Sequence, residues 1–152
     1  MTDIREAMPV LARHLGQWVG EYIHLDPYGS VVDRHKSHLS CQIVEGPPQA
    51  YHQINTYEWA DGREEILQFP AVFRDGRLWF DTERIYGWVA DGAQDPFHRT
   101  GLLEWTRKDM PDSYLYEMIQ LNDNGRTRAR VWQWFVGDRL TRRTIINETK
   151  ID

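Results

Sequence analysis

The side chains of this chain best suited to chemistry are phenols and guanidinium groups with one carboxylate and one imidazole among them: Tyr22, Tyr57, Tyr86, Tyr114 and Tyr116 with Arg34, Arg130, Glu117 and His38. A phenol and a guanidinium together orient an anionic aromatic molecule, and a carboxylate or imidazole beside them takes up or returns a proton. Tyr114, Tyr116, Glu117, Arg130 and His38 are the candidates for that general acid–base role. Nucleophilic catalysis has no foothold, because Gly-x-Ser-x-Gly is absent and Cys41, the sole cysteine, has no base near it in sequence. The six histidines do not spell out a metal site. His35 and His38 lack the i, i+2 spacing that puts two ligands on one strand face, and His24, His38 and His52 could meet only across the inside of a closed sheet. No metal and no cofactor is expected.

Composition narrows the setting for such chemistry. The 152 residues carry 18 Lys plus Arg against 23 Asp plus Glu, a formal charge of −5, which lacks the broad basic footprint of a phosphate-backbone binder and argues against nucleic acid. A single cysteine permits neither an internal disulfide nor a cysteine-rich zinc site and points to a reducing compartment. Acids at Asp3 and Glu6 stand where a signal peptide needs a basic start, and no run approaches the ~20 apolar residues of a membrane span, so the expected location is cytoplasmic. Seven Trp, seven Tyr and five Phe need a large buried face or a ligand to cover them. Only Lys36, Lys108 and Lys150 of the 18 basic residues are lysines, which favours bidentate pairing and stacking over point charges.

The positioning elements are almost all strands. Ile4, Met8, Leu11 and Leu15 recur at helical spacing, with Thr2 as N-cap and Pro9 able to start regular helix at its own position. Beyond Gly16 the chain alternates in short aromatic and β-branched runs. Turn chemistry punctuates them at Asp26-Pro27-Tyr28-Gly29, Ala60-Asp61-Gly62, Asp75-Gly76, Asn122-Asp123-Asn124-Gly125 and Gly137-Asp138. Strands are predicted over 17–25, 31–44, 50–59, 64–73, 77–82, 84–90, 100–107, 114–121, 127–136 and 140–149. Tight turns between them exclude parallel βαβ units. A meander of this length leaves two unpaired edges unless it closes, so the predicted fold is all-β, an antiparallel up-and-down barrel of about 8–10 strands. One domain spanning 1–152 is expected, with 1–15 as a helical plug and 16–152 as the barrel. A barrel of that size encloses a cavity for one small ligand.

The start of the first strand, Gly16-Gln17-Trp18, follows a short helix and resembles the Gly-x-Trp signature of the calycin superfamily, the lipocalins and fatty-acid-binding proteins. The stretch His14 to Tyr22, followed by Leu25-Asp26-Pro27-Tyr28-Gly29, is similar to the start of a bacterial lipocalin-like group distantly akin to the phycobiliprotein lyases. The resemblance implies that Trp18 closes the barrel floor against a basic residue of the last strand, Arg142 or Arg143. Nitrobindin-like calycins bind haem through a histidine near the C-terminus. Here the last histidine is His98, which counts against haem. Phenolic acid decarboxylases, also small lipocalin-like barrels, use Tyr, Arg and Glu, but no motif of theirs is matched.

Turn geometry suggests which faces look inward. Three-residue loops ending in Gly29 and Gly125 would set Tyr22 opposite Arg34 and Trp18 opposite His38, and likewise Tyr114 opposite Trp134, Tyr116 opposite Trp132 and Met118 opposite Arg130. A packed core would take the aliphatic face of the second hairpin, whereas a ligand cavity would take its aromatic and arginine face. On the second choice the cavity is walled by Tyr22, Arg34, His38, Tyr86, Trp88, Tyr114, Tyr116, Arg130, Trp132 and Trp134. The function expected is binding of a small, partly apolar, anionic molecule. The alternative is a cofactor-independent lyase, isomerase or cyclase acting on it. A third class is a filled barrel that self-associates as a homodimer through Trp59, Trp79 or Trp88.

Overall fold

The turn signals fall where the chain reverses. A computed structural model describes residues 2–152, and among them two short helices, α1 (Ile4–Ala7) and α2 (Pro9–Arg13), precede ten strands. These are β1 (Gly16–Leu25), β2 (Val31–Val44), β3 (Ala50–Glu58), β4 (Glu64–Arg74), β5 (Arg77–Asp81), β6 (Ile85–Asp91), β7 (Thr100–Arg107), β8 (Ser113–Leu121), β9 (Thr127–Val136) and β10 (Arg139–Lys150). Each strand pairs antiparallel with the next and β10 returns to β1, so the sheet closes without a free edge. The predicted all-β barrel is the observed one.

The N-terminal plug is two helices because Pro9 cannot continue α1 but suits the first position of α2. Asp3, not Thr2, caps α1, its carboxylate accepting from the Arg5 amide. Asp91 at the end of β6 accepts from the amides of Val10 and Leu11 at 2.8 and 3.0 Å, which ties α2 across that end of the barrel. Ile4, Met8, Val10 and Leu11 are buried there against the interior.

Two registers differ from the sequence expectation, each by one residue. The first turn forms as expected: Gly29 has φ +96° and the Asp26 carboxylate accepts from the amides of Tyr28 and Ser30. A β-bulge then follows, pairing Leu25 with Val31 but His24 with Asp33, so both Val31 and Val32 lie exposed. Past the bulge Tyr22 faces His35 and Trp18 faces Leu39. In the second hairpin the loop has one residue more. The Asn122 amide donates to the Thr127 carbonyl, and the Asn122 side chain accepts from the amides of Arg126 and Thr127. Leu121 therefore pairs with Arg128 and Glu117 with Trp132. A one-residue slip turns a strand's side chains to the other face. Asp33, His35, Ser37 and Leu39 thus look inward, as do Ser113, Leu115, Glu117 and Leu121.

Close strand approach needs Gly20, which pairs with Ser37 and Glu148. A Cβ there would sit 2.1 Å from the Asn147 carbonyl oxygen and 2.8 Å from Glu148 Cγ. Gly20→Ala is expected to destabilise the barrel by about 1–3 kcal/mol through this overpacking, read from the urea midpoint at unchanged slope.

Candidate functional site

The inward faces divide the barrel into a filled end and a hollow end. Beneath the helices the interior holds a buried ionic quartet. Arg128 Nε donates to Glu148 Oε1 at 2.6 Å, and Arg130 Nε donates to Glu117 Oε2 at 2.5 Å. Arg130 Nη1 donates to Tyr22 Oη at 2.9 Å and to both Glu148 oxygens at 3.2 Å. Burial opposes charge on both partners, but Arg130 and Arg128 hold the Glu148 carboxyl below its ordinary range. Burial also works against the Arg130 charge, and Glu117 beside it keeps that guanidinium ionised. Along β3 a second polar ladder runs inside: Tyr51 to Gln53 to Asn55 to Tyr57, each hydrogen bond between 2.7 and 2.8 Å.

At the other end, past Tyr22 and Trp132, a cavity of about 550 Å³ opens between the β1–β2, β3–β4, β5–β6, β7–β8 and β9–β10 turns. Tyr22, Tyr57, Trp59, Trp105, Trp132 and Trp134 supply its aromatic walls. Arg84, Arg107 and Arg142 stand among the lining residues with Asp33 and Glu65. On one wall His24, Asp33 and His35 meet. His35 Nδ1 lies 3.3 Å from Asp33 Oδ2 and His24 Nε2 lies 4.0 Å from it, while the Trp59 indole donates to both Asp33 oxygens at 3.1 and 3.2 Å. The His35 ring stacks on Tyr22 with centroids 5.0 Å apart and meets Tyr57 edge-on at 4.7 Å. Burial, with the Arg142 charge next in weight, depresses the His24 pKa to about 4, and burial lowers His35 as well, so both imidazoles are neutral near pH 7.

Of the residues expected to line a cavity, Tyr22, Trp132 and Trp134 do so. Arg130 and Glu117 lie inside but spend their polar atoms on one another and on Tyr22 and Glu148. The expected inward placement of Arg34 and His38 is overturned by the bulge: both are on the outer face, Arg34 3.5 Å from Glu21 and His38 bonded to Gln17. Tyr114 and Tyr116 are overturned by the longer second loop. Tyr114 stacks on Phe135 and Tyr116 meets Trp88 edge-on, all outside. Tyr86 and Trp88 alternate with the buried Ile85 and Val89 and so also point outward. Trp59, read as a surface residue, belongs to the cavity, while Trp79 lies on the outer face against Tyr86. Asp33, His35 and Trp105 line the cavity without having been singled out as ligand-binding from the sequence, and His24, Trp59 and Arg142 line it where the sequence suggested other roles for them. A signal for β2 was present: Arg34, Lys36, His38 and Gln42 are one polar alternate set, and Leu39, Cys41 and Ile43 belong to the other.

No family model matches the sequence, and no curated protein matches it at a significant level. Several solved structures do match. The S-type phycobiliprotein lyase CPES from Guillardia theta superposes with a TM-score of 0.71, covering 95% of this chain and 92% of that one at 12% identity. Rv2717c from M. tuberculosis gives 0.62 over 99% and 100% at 15% identity. A protein of unknown function from the DUF3598 family of Nostoc punctiforme gives 0.61 over 93% of this chain at 14% identity, and this chain spans only 49% of its length. The likeness is one of fold, a closed antiparallel ten-stranded barrel. Among the described residues no helix is long and apolar enough to cross a membrane.

In this barrel the surroundings of Trp18 differ from the expectation drawn from the Gly-x-Trp signature. Trp18 is fully buried and its indole donates to the His14 carbonyl at 3.0 Å. The cation over its ring is Arg128 of β9, 4.2 Å from the centroid, with Lys150 at 5.7 Å. Because β10 runs antiparallel to β1, Arg142 and Arg143 lie at the opposite end: Arg143 pairs with Leu25 and donates to the Pro27 carbonyl. His14 Nδ1 accepts from Arg128 at 3.0 Å, since a guanidinium can only donate. Burial first and the Arg128 charge second hold His14 far below its ordinary pKa.

Two outcomes test this arrangement. Arg130→Met alone should cost about 3–5 kcal/mol in urea unfolding, because Glu117 loses its partner in the interior. Stability should also fall as pH drops from 6.5 toward 4, since the unfolded chain protonates His14 and His24 before the folded one does. His24→Gln should flatten part of that slope in urea titrations at stepped pH.

Proposed function

We propose that this barrel binds a small, partly apolar, anionic molecule in its open-ended cavity. The observation that carries the reading is the lining: about 550 Å³ bounded by indole and phenol rings within and by Arg84, Arg107 and Arg142 among the lining residues. That volume falls inside the roughly 300–1,000 Å³ typical of ligand pockets. Rigid aromatic walls offer apolar contact at low conformational cost, and a guanidinium fork matches a carboxylate. Arg142 is the favoured anchor, because the Nε and Nη2 of Arg107 already donate to Asp109 and Arg130 is committed to the quartet. Likeness in fold to a phycobiliprotein lyase supports the reading by analogy alone.

A second reading, a lyase, isomerase or cyclase acting on the same molecule, is favoured by the Asp33–His35 pair beside the phenols of Tyr22 and Tyr57. A carboxylate-supported imidazole against an aromatic pocket is suited to moving a proton on a bound substrate.

Tryptophan fluorescence titrated with aromatic acids, fatty acids and tetrapyrroles, each beside its neutral ester or amide, tests the binding reading. The acids are expected to change the emission strongly. Arg142→Ala should weaken them about tenfold or more while leaving the esters unchanged. A flat response across the panel, or no preference for the acids in the parent protein, counts against it. Turnover of a bound acid, followed by mass spectrometry and abolished in His35→Gln, would favour the enzyme.

A further inference from the structure

We propose that His24, Asp33 and His35 form a binding site for one divalent transition-metal ion on the wall of the cavity mouth. One donor atom from each side chain lies within 4.8 Å of the other two. Donor atoms that share an ion about 2.0–2.2 Å away stand no more than about 4.4 Å apart, so the three must draw in slightly from this spacing to hold one. The β-bulge at the end of β1 builds the cluster. It brings Asp33 opposite His24 and turns Asp33 and His35 inward, where an unbulged ladder would present Val32 and Arg34.

The donors are oriented from behind. His24 Nδ1 is engaged by Thr144 Oγ1 at 2.7 Å, which leaves Nε2 on the side of Asp33 Oδ2, 4.0 Å away. The Trp59 indole donates to both Asp33 oxygens and so holds the carboxylate plane toward the two rings. His35 Nδ1 is 3.3 Å from Asp33 Oδ2, the distance of neighbouring ligands around one ion as well as of a long hydrogen bond. Hydrogen bonds of this kind behind the ligating atoms set tautomer and ring orientation in metal sites. Two imidazoles with one carboxylate suit Zn²⁺ and Fe²⁺ rather than the oxygen-seeking Mg²⁺ and Ca²⁺. Three protein donors leave coordination positions open toward the cavity, which is the arrangement of a site that receives a further ligand rather than of a closed structural one. Metal uptake requires no organic ligand, so this inference stands or falls apart from the proposed function.

Chelator-treated protein titrated with Zn²⁺ by calorimetry tests it. The parent should take up one equivalent, His24→Ala and Asp33→Asn should each weaken uptake at least about tenfold, and His38→Ala and His52→Ala, on the outer face, should keep the parent affinity. The unaltered protein supplies a check that no folding defect can confuse: Co²⁺ should broaden the imidazole resonances of His24 and His35 and leave those of His38 and His52 sharp. Absence of saturable uptake by the parent, parent affinity in both cluster variants, or broadening centred on other histidines would each overturn the site. A flat ligand panel in the fluorescence experiment with Zn²⁺ uptake intact would remove the proposed function and leave the metal site.

Discussion

The barrel depends on the pairing of four buried charges. Arg128, Arg130, Glu117 and Glu148 stand together inside, almost without solvent contact, and Tyr22 takes one of the remaining guanidinium donors. Removing such ions from water costs several kcal/mol each, and only close, hydrogen-bonded partners offset it. The charges come from β8, β9 and β10, and the phenol from β1. A slip of one residue in any of these strands would turn a charge to the outer face and leave its partner buried alone. The quartet therefore selects register around the seam where the last strand meets the first.

The same quartet decides where empty space can lie. Charges, the β3 polar ladder and the docked helices occupy one end, leaving a hollow at the other, lined by rings too rigid to collapse into it. The arginines inside the barrel thus divide into two populations. Arg128 and Arg130 hold the interior together, while Arg84, Arg107 and Arg142 are among the residues that line the cavity. Chemical type was the same for both, and only the distribution of carboxylates around them separates the roles.

The bulge beside His24 shows how a small backbone event changes chemistry without changing fold. Strand bounds, turn positions and barrel closure are unaffected by it, yet it exchanges Arg34 and His38 for Asp33 and His35 on the inner face. The extra loop residue at Asn122 acts likewise on β8, exchanging Tyr114 and Tyr116 for Leu115 and Glu117. In both places the turn residues were recognisable and the pairing beyond them was not, because a bulge or one added residue carries no distinctive local composition.

By itself the sequence determined the architecture. Alternating runs between Gly, Asn, Asp and Pro turns admit antiparallel neighbours only, and closure follows from the expense of free edges. The helical spacing of Ile4, Met8 and Leu11 likewise made a helical plug legible, though not its division into two helices at Pro9. Tertiary structure alone decided which side chains share the interior, which cation covers Trp18, and that His24, Asp33 and His35 converge. The physical reason is that strand periodicity has only two phases. Local sequence defines the alternation, but the phase is chosen by long-range partners, here the carboxylates that buried guanidinium groups require.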